Sequence, residues 1–342
     1  MNRARDAAVG SGFGAWPLHG IDPKFLPLLV TVALFVAMAG AGGVLYPGFL
    51  SPQVFLNLLI DNAFLCIAAV GLTFVILTGG IDLSVGAVIA FTTVLLASLV
   101  EHGGWHPLAA IALALALGTA FGAGMGALIE RFRLQPFVVT LAGMFLARGA
   151  STLISVDSIG ITHPLYTQIA YLRIPLGGGT ALSAGAVIAL LTVAAGIALA
   201  HCSRFGRTVY AIGGNAQSAV LMGLPVASTL VRVYALSGFC AALAGVVCTF
   251  YMLSGYSLHA LGLELDAIAA VVIGGTLLAG GTGYVAGTLV GVLILGLIQT
   301  LIVFEGTLSS WWTRIAIGVL LFVFCLLQRL FERSRMKRGT FR

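Results

Sequence analysis

Apolar runs about as long as a bilayer is thick recur along this chain, and they narrow its possible folds more than any other feature. A transmembrane helix needs about 20 predominantly apolar residues, and stretches such as 182–200 and 284–303 supply that length without a single charge. Backbone groups inside a bilayer have no water to bond, so a span is either a helix or a strand of a closed barrel. The runs are continuous rather than alternating every second residue, which selects helices. With 60% hydrophobic and 8% charged residues over 342 positions, the chain lies outside the soluble class. The fold class is an all-α integral membrane protein.

Ten spans are predicted, at 25–46, 55–78, 83–100, 108–129, 136–155, 182–200, 229–253, 267–279, 284–303 and 311–328. An even number puts both ends of the chain on one side. Of the 17 Lys and Arg residues, thirteen fall in the tails and in loops on that side, among them Arg131, Arg133, Arg204 and Arg207; only Arg173 falls in a loop on the other. Basic loops stay inside, so both termini and the loop 201–227 are expected in the cytoplasm. The domain reading is a cytoplasmic tail at 1–24, one transmembrane domain at 25–330 and a basic cytoplasmic tail at 331–342. Paired glycines interrupt both halves, Gly79-Gly80 after the second span and Gly274-Gly275 in the eighth, with Gly280-Gly281 in the turn that follows. Broken helices in two halves point to a central pathway in many transporters, and a five-plus-five pseudo-repeat with these glycines as hinge or packing positions is the matching expectation.

Several function classes drop out. The five cysteines, Cys66, Cys202, Cys240, Cys248 and Cys325, have no paired spacing, so neither a disulfide framework nor a zinc site is indicated. The six histidines fall in loops or tails, with no H-x-x-x-H on a span, which leaves no convergent set for a membrane enzyme. A net charge of +6 follows topology rather than a nucleic-acid surface. No cofactor or metal is expected on this chain. Its two lysines, Lys24 and Lys337, lie in no phosphate-binding glycine loop, so it has no ATPase motif. Transport energy must come from a partner or from an ion gradient; in the second case Asp61, Asp82 or Asp266 would carry the ion. These carboxylates sit near span ends, which counts against a midplane ion site.

The longest polar break in the second half is 201–227. Asn215 can cap a helix from Ala216 to Met222, Gly223 supplies a left-handed stop, and Pro225 forbids continuation. Val220, Leu221, Met222 and Leu224 leave it a small apolar face. A helix this short is marginal alone: it either docks on a partner or lies as a connector on the bilayer. Polar groups within spans, namely Asn57, Asp61, Asn62, Thr73, Asp82, Thr140 and Gln299, either line a translocation path or make interhelical hydrogen bonds. Asp61 faces the bundle or a wet cavity, or caps a helix that starts later, because a carboxylate facing lipid costs about 2.5–3.5 kcal/mol at mid-helix. Arg148 either snorkels outward or pairs inside. Glu264 and Asp266 contact a partner at the outer surface or cap the eighth span.

Three strings, GGIDLSVGA at 79–87, YAIGGNAQSAVLMGLPV at 210–226 and ELDAIAAVVIGGTLLAGGTG at 264–283, resemble the ribose-type permeases of bacterial ABC sugar importers, a likeness that extends along 25–330. Asp61-Asn62-Ala63-Phe64, Ile161-Thr162-His163-Pro164, Leu221-Met222-Gly223 and the stretch 306–312 are most similar to the galactofuranose-importer permeases within that family. The resemblance implies a multi-pass permease of the bacterial inner membrane, one half of a pore formed with a second, related permease. A cytoplasmic ATP-binding subunit, using ATP and Mg, and a periplasmic sugar-binding protein would complete the importer. It also implies that Gly213, Gly214, Asn215, Gln217, Leu221, Met222, Gly223 and Pro225 form the coupling helix that enters a groove on the ATPase. In the ribose-type pattern this helix carries an acid and an Arg; here Gln217, Ser218 and Leu221-Met222 make the docking surface less charged.

Overall fold

A computed structural model of the protein describes residues 26–307, 309 and 311–339. The predicted N-terminal tail, 1–24, and the last residues of the C-terminal tail, 340–342, lie outside them. The helices follow in order: α1 Leu26–Leu45, α2 Pro52–Asp61, α3 Ala63–Leu77, α4 Val85–Ala97, α5 Pro107–Phe132, α6 Pro136–Ile154, α7 Pro164–Tyr171, α8 Ala184–Cys202, α9 Arg204–Gly214, α10 Ala216–Leu221, α11 Val226–Met252, α12 Leu263–Ile273, α13 Val285–Glu305 and α14 Trp311–Gly339. Among the described residues, seven helices are long and apolar enough to cross a membrane, or eight if the bent pair α2–α3 counts as one span. α12, with 11 residues, and the apolar part of α14, Trp311–Leu326, are shorter.

Two proline starts and a left-handed stop set the bounds of α5 and the start of α6, where spans at 108–129 and 136–155 were expected. Pro107 and Pro136 open α5 and α6, where a missing backbone N–H costs nothing, and Arg133 ends α5 at φ 51°. The second span differs from the continuous helix expected. It bends by 60° between α2 and α3, at Asn62, whose side-chain amide donates to the Leu58 carbonyl at 2.9 Å and so competes with the backbone ladder. The last helix runs past the predicted end near 328 to Gly339. The predicted eighth span ends early: Gly274 and Gly275 stop α12 instead of interrupting it.

α3 and α11 form the centre. Almost all of α3 is buried, and α11 packs on α3, α4 and α5. Small residues permit the closest crossing: a Cβ on Gly118 of α5 would lie 2.8 Å from the Gly238 carbonyl oxygen of α11, so the two backbones touch directly. Dispersion over such close surfaces drives helix association where water cannot.

At one end of the bundle lie the α5–α6 turn, the break at 78–84, the break at 274–284 and α9–α10. The Thr140 hydroxyl near the start of α6 reaches the Ile81 carbonyl at 3.2 Å, tying that turn to the first break. The opposite end carries a small cap. β1 (Ile159–Gly160) pairs antiparallel with β4 (Ser254–Gly255), and β2 (Arg173–Gly177) pairs with β3 (Thr180–Ser183) as a hairpin. Glu101, in a π-helical turn after α4, accepts from the Thr162 and His163 backbone N–H groups at 2.6 and 3.1 Å. The segment 156–180, between the predicted spans 136–155 and 182–200, is therefore an ordered cap holding α7.

Candidate functional site

The polar segment after α8 folds into two helices, one expected and one missed. Asn215 is extended, and its Oδ1 accepts from the Ser218 backbone N–H at 2.8 Å, which starts α10 as the sequence indicated. Gly223, at φ 74°, ends it, and the Leu224 N–H returns to the Ala219 carbonyl at 3.0 Å. Gln217 and Ser218 are exposed, and Leu221, 87% exposed, leads an uncovered edge with Val220 and Met222. The missed helix is α9, capped by Ser203, whose hydroxyl oxygen accepts from the Gly206 N–H at 2.9 Å. Its Arg204 and Arg207 are exposed while Gly206, Thr208, Val209 and Ile212 are buried. Three glycines and a β-branched pair disguise it as loop. Its two-sided pattern was the available signal.

α9 is fastened to both breaks at once. The Leu77 carbonyl, last of α3, accepts from the Gly281 N–H at 2.9 Å, so the two breaks are joined backbone to backbone. Gly213 lies against that bond: a Cβ there would overlap the Leu77 oxygen and stand 2.9 Å from the Gly281 Cα. The Tyr210 hydroxyl donates to the Gly283 carbonyl at 2.8 Å. Burial pushes the Tyr210 phenol up to about 12, so it stays a donor at any physiological pH. Of the predicted hinge glycines, Gly79, Gly280 and Gly281 sit at this junction with φ of 80°, 87° and 73°, and Gly80 packs against the Tyr234 hydroxyl. Gly274 and Gly275 lie apart from it, where Gly274 packs on the Gly287 backbone of α13. The sequence string 210–226 contained Tyr210 and Gly213, but nothing local reveals which carbonyls they meet.

Asp82, in the first break, is buried and fully bonded. Its carboxylate accepts from the Ser84 N–H at 2.9 Å, the Ser84 hydroxyl at 2.6 Å and the Ser237 hydroxyl of α11 at 2.7 Å. A buried carboxylate without such donors would be costly, and Ser237 had not been singled out from the sequence. The remaining path candidates divide by exposure. Asn62, Thr73 and Thr140 are buried, and Thr73 bonds Thr288 of α13 at 2.8 Å. Asn57, Asp61 and Gln299 are exposed on this chain, with Asp61 accepting from the Tyr251 hydroxyl at 3.1 Å.

At the opposite end, two arginines within spans hold the segment leading into α12 and its first turn. Arg148 of α6 donates to the Ser257 and His259 carbonyls at 2.6 and 3.0 Å, which settles its direction: it turns inward. Arg314 of α14 pairs with Asp266 at 2.9 Å. Gly262 occupies the cap position of α12, and the Glu264 carboxylate in the first turn lies within hydrogen-bonding reach of the backbone N–H groups of Gly262 and of Glu264 itself, the capping role expected there. With Asp266 it also places negative charge near the positive end of that helix. Among the described residues no group of three His, Cys, Asp or Glu side chains forms a metal site.

The fold and this site define a multi-pass helical membrane protein whose broken helices are fastened to a helical pair outside the bundle. The chain belongs to the family described as branched-chain amino acid transport system/permease component, which it matches over residues 54–325. It is similar to the inner membrane ABC transporter permease protein YjfF of Escherichia coli K12, with 56% identity over 89% of this chain and 92% of the relative. The fructose import permease FruG of Bifidobacterium longum is 40% identical, over 90% and 92% of the two chains. The ribose import permease RbsC of Bacillus subtilis is 38% identical, over 91% and 94%. No solved structure matches. The protein is thus an ABC-type permease of the inner membrane and not an enzyme.

Proposed function

We propose that this chain is the permease subunit of an ATP-driven importer for a monosaccharide, galactofuranose or a related furanose or pentose. The observation that carries the reading is the chain of contact from the uncovered edge of α10, through α9, to both broken helices at Gly213. A push on α10 reaches the Leu77–Gly281 bond without passing through a flexible loop. The names of the similar permeases, two of which import ribose and fructose, support a sugar as cargo.

In this reading ten spans cross the membrane, α12 and α14 among them, and both termini and α9–α10 face the cytoplasm. A cytoplasmic ATP-binding subunit, using ATP and Mg, receives α10 in a groove. A second permease, related or identical, completes the pore, and a periplasmic sugar-binding protein delivers the cargo. ATP binding closes the partner ATPases, moves α9–α10 as a lever and rocks the bundle between inward- and outward-facing states. Residues 213–225 transmit this motion: Gly213 packed into the junction, Gly214 touching it through its backbone alone with open space where a side chain would stand, Asn215 and Gly223 holding the ends of α10, Gln217, Leu221 and Met222 meeting the ATPase, Pro225 starting α11. Exposed polar groups on spans, Asn57, Asp61 and Gln299, border the path. Thr73, Asp82 and Thr140 tie neighbouring segments together around it, and Asn62 bends the second span beside it.

Purification from native membranes tests this. The tagged chain should bring down an ATP-binding subunit and a second permease band or a dimer of itself, identified by mass. A monomer without an ATPase, or a protease site at Gln217 cut only from outside the cell, would refute it.

A further inference from the structure

Where α12, α13 and α14 meet at the end of the bundle away from α9–α10, a cavity of about 440 Å³ opens beside the Asp266–Arg314 pair. That volume lies within the range of about 300–1,000 Å³ typical of small-molecule sites. Gln299 of α13, Thr313 of α14 and the apolar Ile317 also line the cavity. We infer that this cavity is a binding site for a neutral polyhydroxylated molecule, a sugar that pauses at the outer entrance of the path. The inference rests on the sugar-permease reading and adds to it the residues and place.

The chemistry of the wall decides the ligand class. Arg314 Nη1 contacts both Asp266 oxygens, at 2.9 and 3.1 Å, so the guanidinium is already neutralised by its own carboxylate. Its side chain is nevertheless 53% exposed, leaving N–H groups free to donate, while the carboxylate retains lone pairs that accept. The Gln299 amide offers one acceptor and two donors, and Thr313 offers one of each. A hydroxyl both donates and accepts, and adjacent hydroxyls match such a mixed wall. A phosphate is held best by net positive charge, and the one guanidinium on this wall is neutralised by Asp266, whose carboxylate repels an anion. A lipid headgroup phosphate is therefore disfavoured. The polar groups also explain one another, since a charged pair and an exposed glutamine at the ends of spans are stable only facing a wet space.

The test is protection of a thiol placed in the wall. Thr313→Cys is introduced on a Cys202→Ser, Cys325→Ser background, because the other native thiols, Cys66, Cys240 and Cys248, are buried. The complex with its partners, in lipid nanodiscs, is treated with a charged methanethiosulfonate in the presence of D-ribose, D-fructose, D-galactose or inorganic phosphate. At least one sugar should slow labelling several-fold, phosphate should not, and Gln299→Leu should abolish the protection while partners still co-purify. Three results would overturn the assignment: no sugar protects, phosphate protects as well as any sugar, or protection survives Gln299→Leu. Loss of the partners from the wild-type sample would count against the importer reading instead, and the protection measurement stands without them.

Discussion

A single methyl group at position 213 should separate ATP hydrolysis from transport. In Gly213→Ala the new Cβ overlaps the Leu77 oxygen and stands 2.9 Å from the Gly281 Cα, both of them backbone atoms that no rotamer change can move aside. Overpacking of this kind costs about 1–3 kcal/mol. Parting the Leu77 carbonyl from the Gly281 N–H, now 2.9 Å apart, strands a buried polar group at about 1–3 kcal/mol more. The joined state of the two breaks is then disfavoured by about 2–6 kcal/mol, which is at least roughly 30-fold in population. The position beside it supplies the control, because a Cβ on Gly214 meets nothing within 4 Å. The assay is labelled-sugar uptake and ATP hydrolysis by the importer reconstituted with its partners. Gly213→Ala should lower sugar moved per ATP by roughly 30-fold or more, and Gly214→Ala should stay near the starting protein. Equal behaviour of the two variants, or normal uptake by Gly213→Ala, would refute the mechanical role of the junction.

Asn215→Ala removes the Oδ1 acceptor that starts α10 and should cost about 1 kcal/mol, seen as weaker capture of the ATP-binding subunit. Leu221→Asp should abolish that capture with no change in Tm, since the side chain is 87% exposed and supports nothing within the chain. Ser237→Ala deletes one of the three donors to the buried Asp82 carboxylate; Tm should fall, reporting a loss of about 1–3 kcal/mol, and an unchanged Tm would mean that water replaces the hydroxyl.

Features governed by neighbours a few residues away could be read from the chain alone. The cap at Asn215 and the stop at Gly223 depend on local backbone chemistry, and they lie where expected. The bend at Asn62 also has a local cause, yet an Asn in an apolar run reads equally well as a path residue or an interhelical bond. Its side chain takes the third course and bonds its own helix. Arg148 left two directions open because both snorkelling and pairing satisfy a guanidinium; only the carbonyls of Ser257 and His259, distant in sequence, decide. The junction was the least legible part. Gly79 and Gly280-Gly281 announced breaks in the helices, but the hydrogen bond from Gly281 to Leu77 joins segments far apart in the chain. No periodicity or spacing encodes such a pairing. One sheet of the cap was hidden for the same reason: β1 pairs with β4, about a hundred residues further along the chain.

The account depends most on the claim that this permease has no energy source of its own and is driven through α9–α10. Sugar uptake into proteoliposomes carrying the chain, its partner permease and the ATP-binding subunit, with the binding protein outside, tests it directly. Uptake should require ATP on the α10 side and continue after an uncoupler collapses the proton gradient. Accumulation by the chain alone, or loss of uptake together with the gradient, would contradict it.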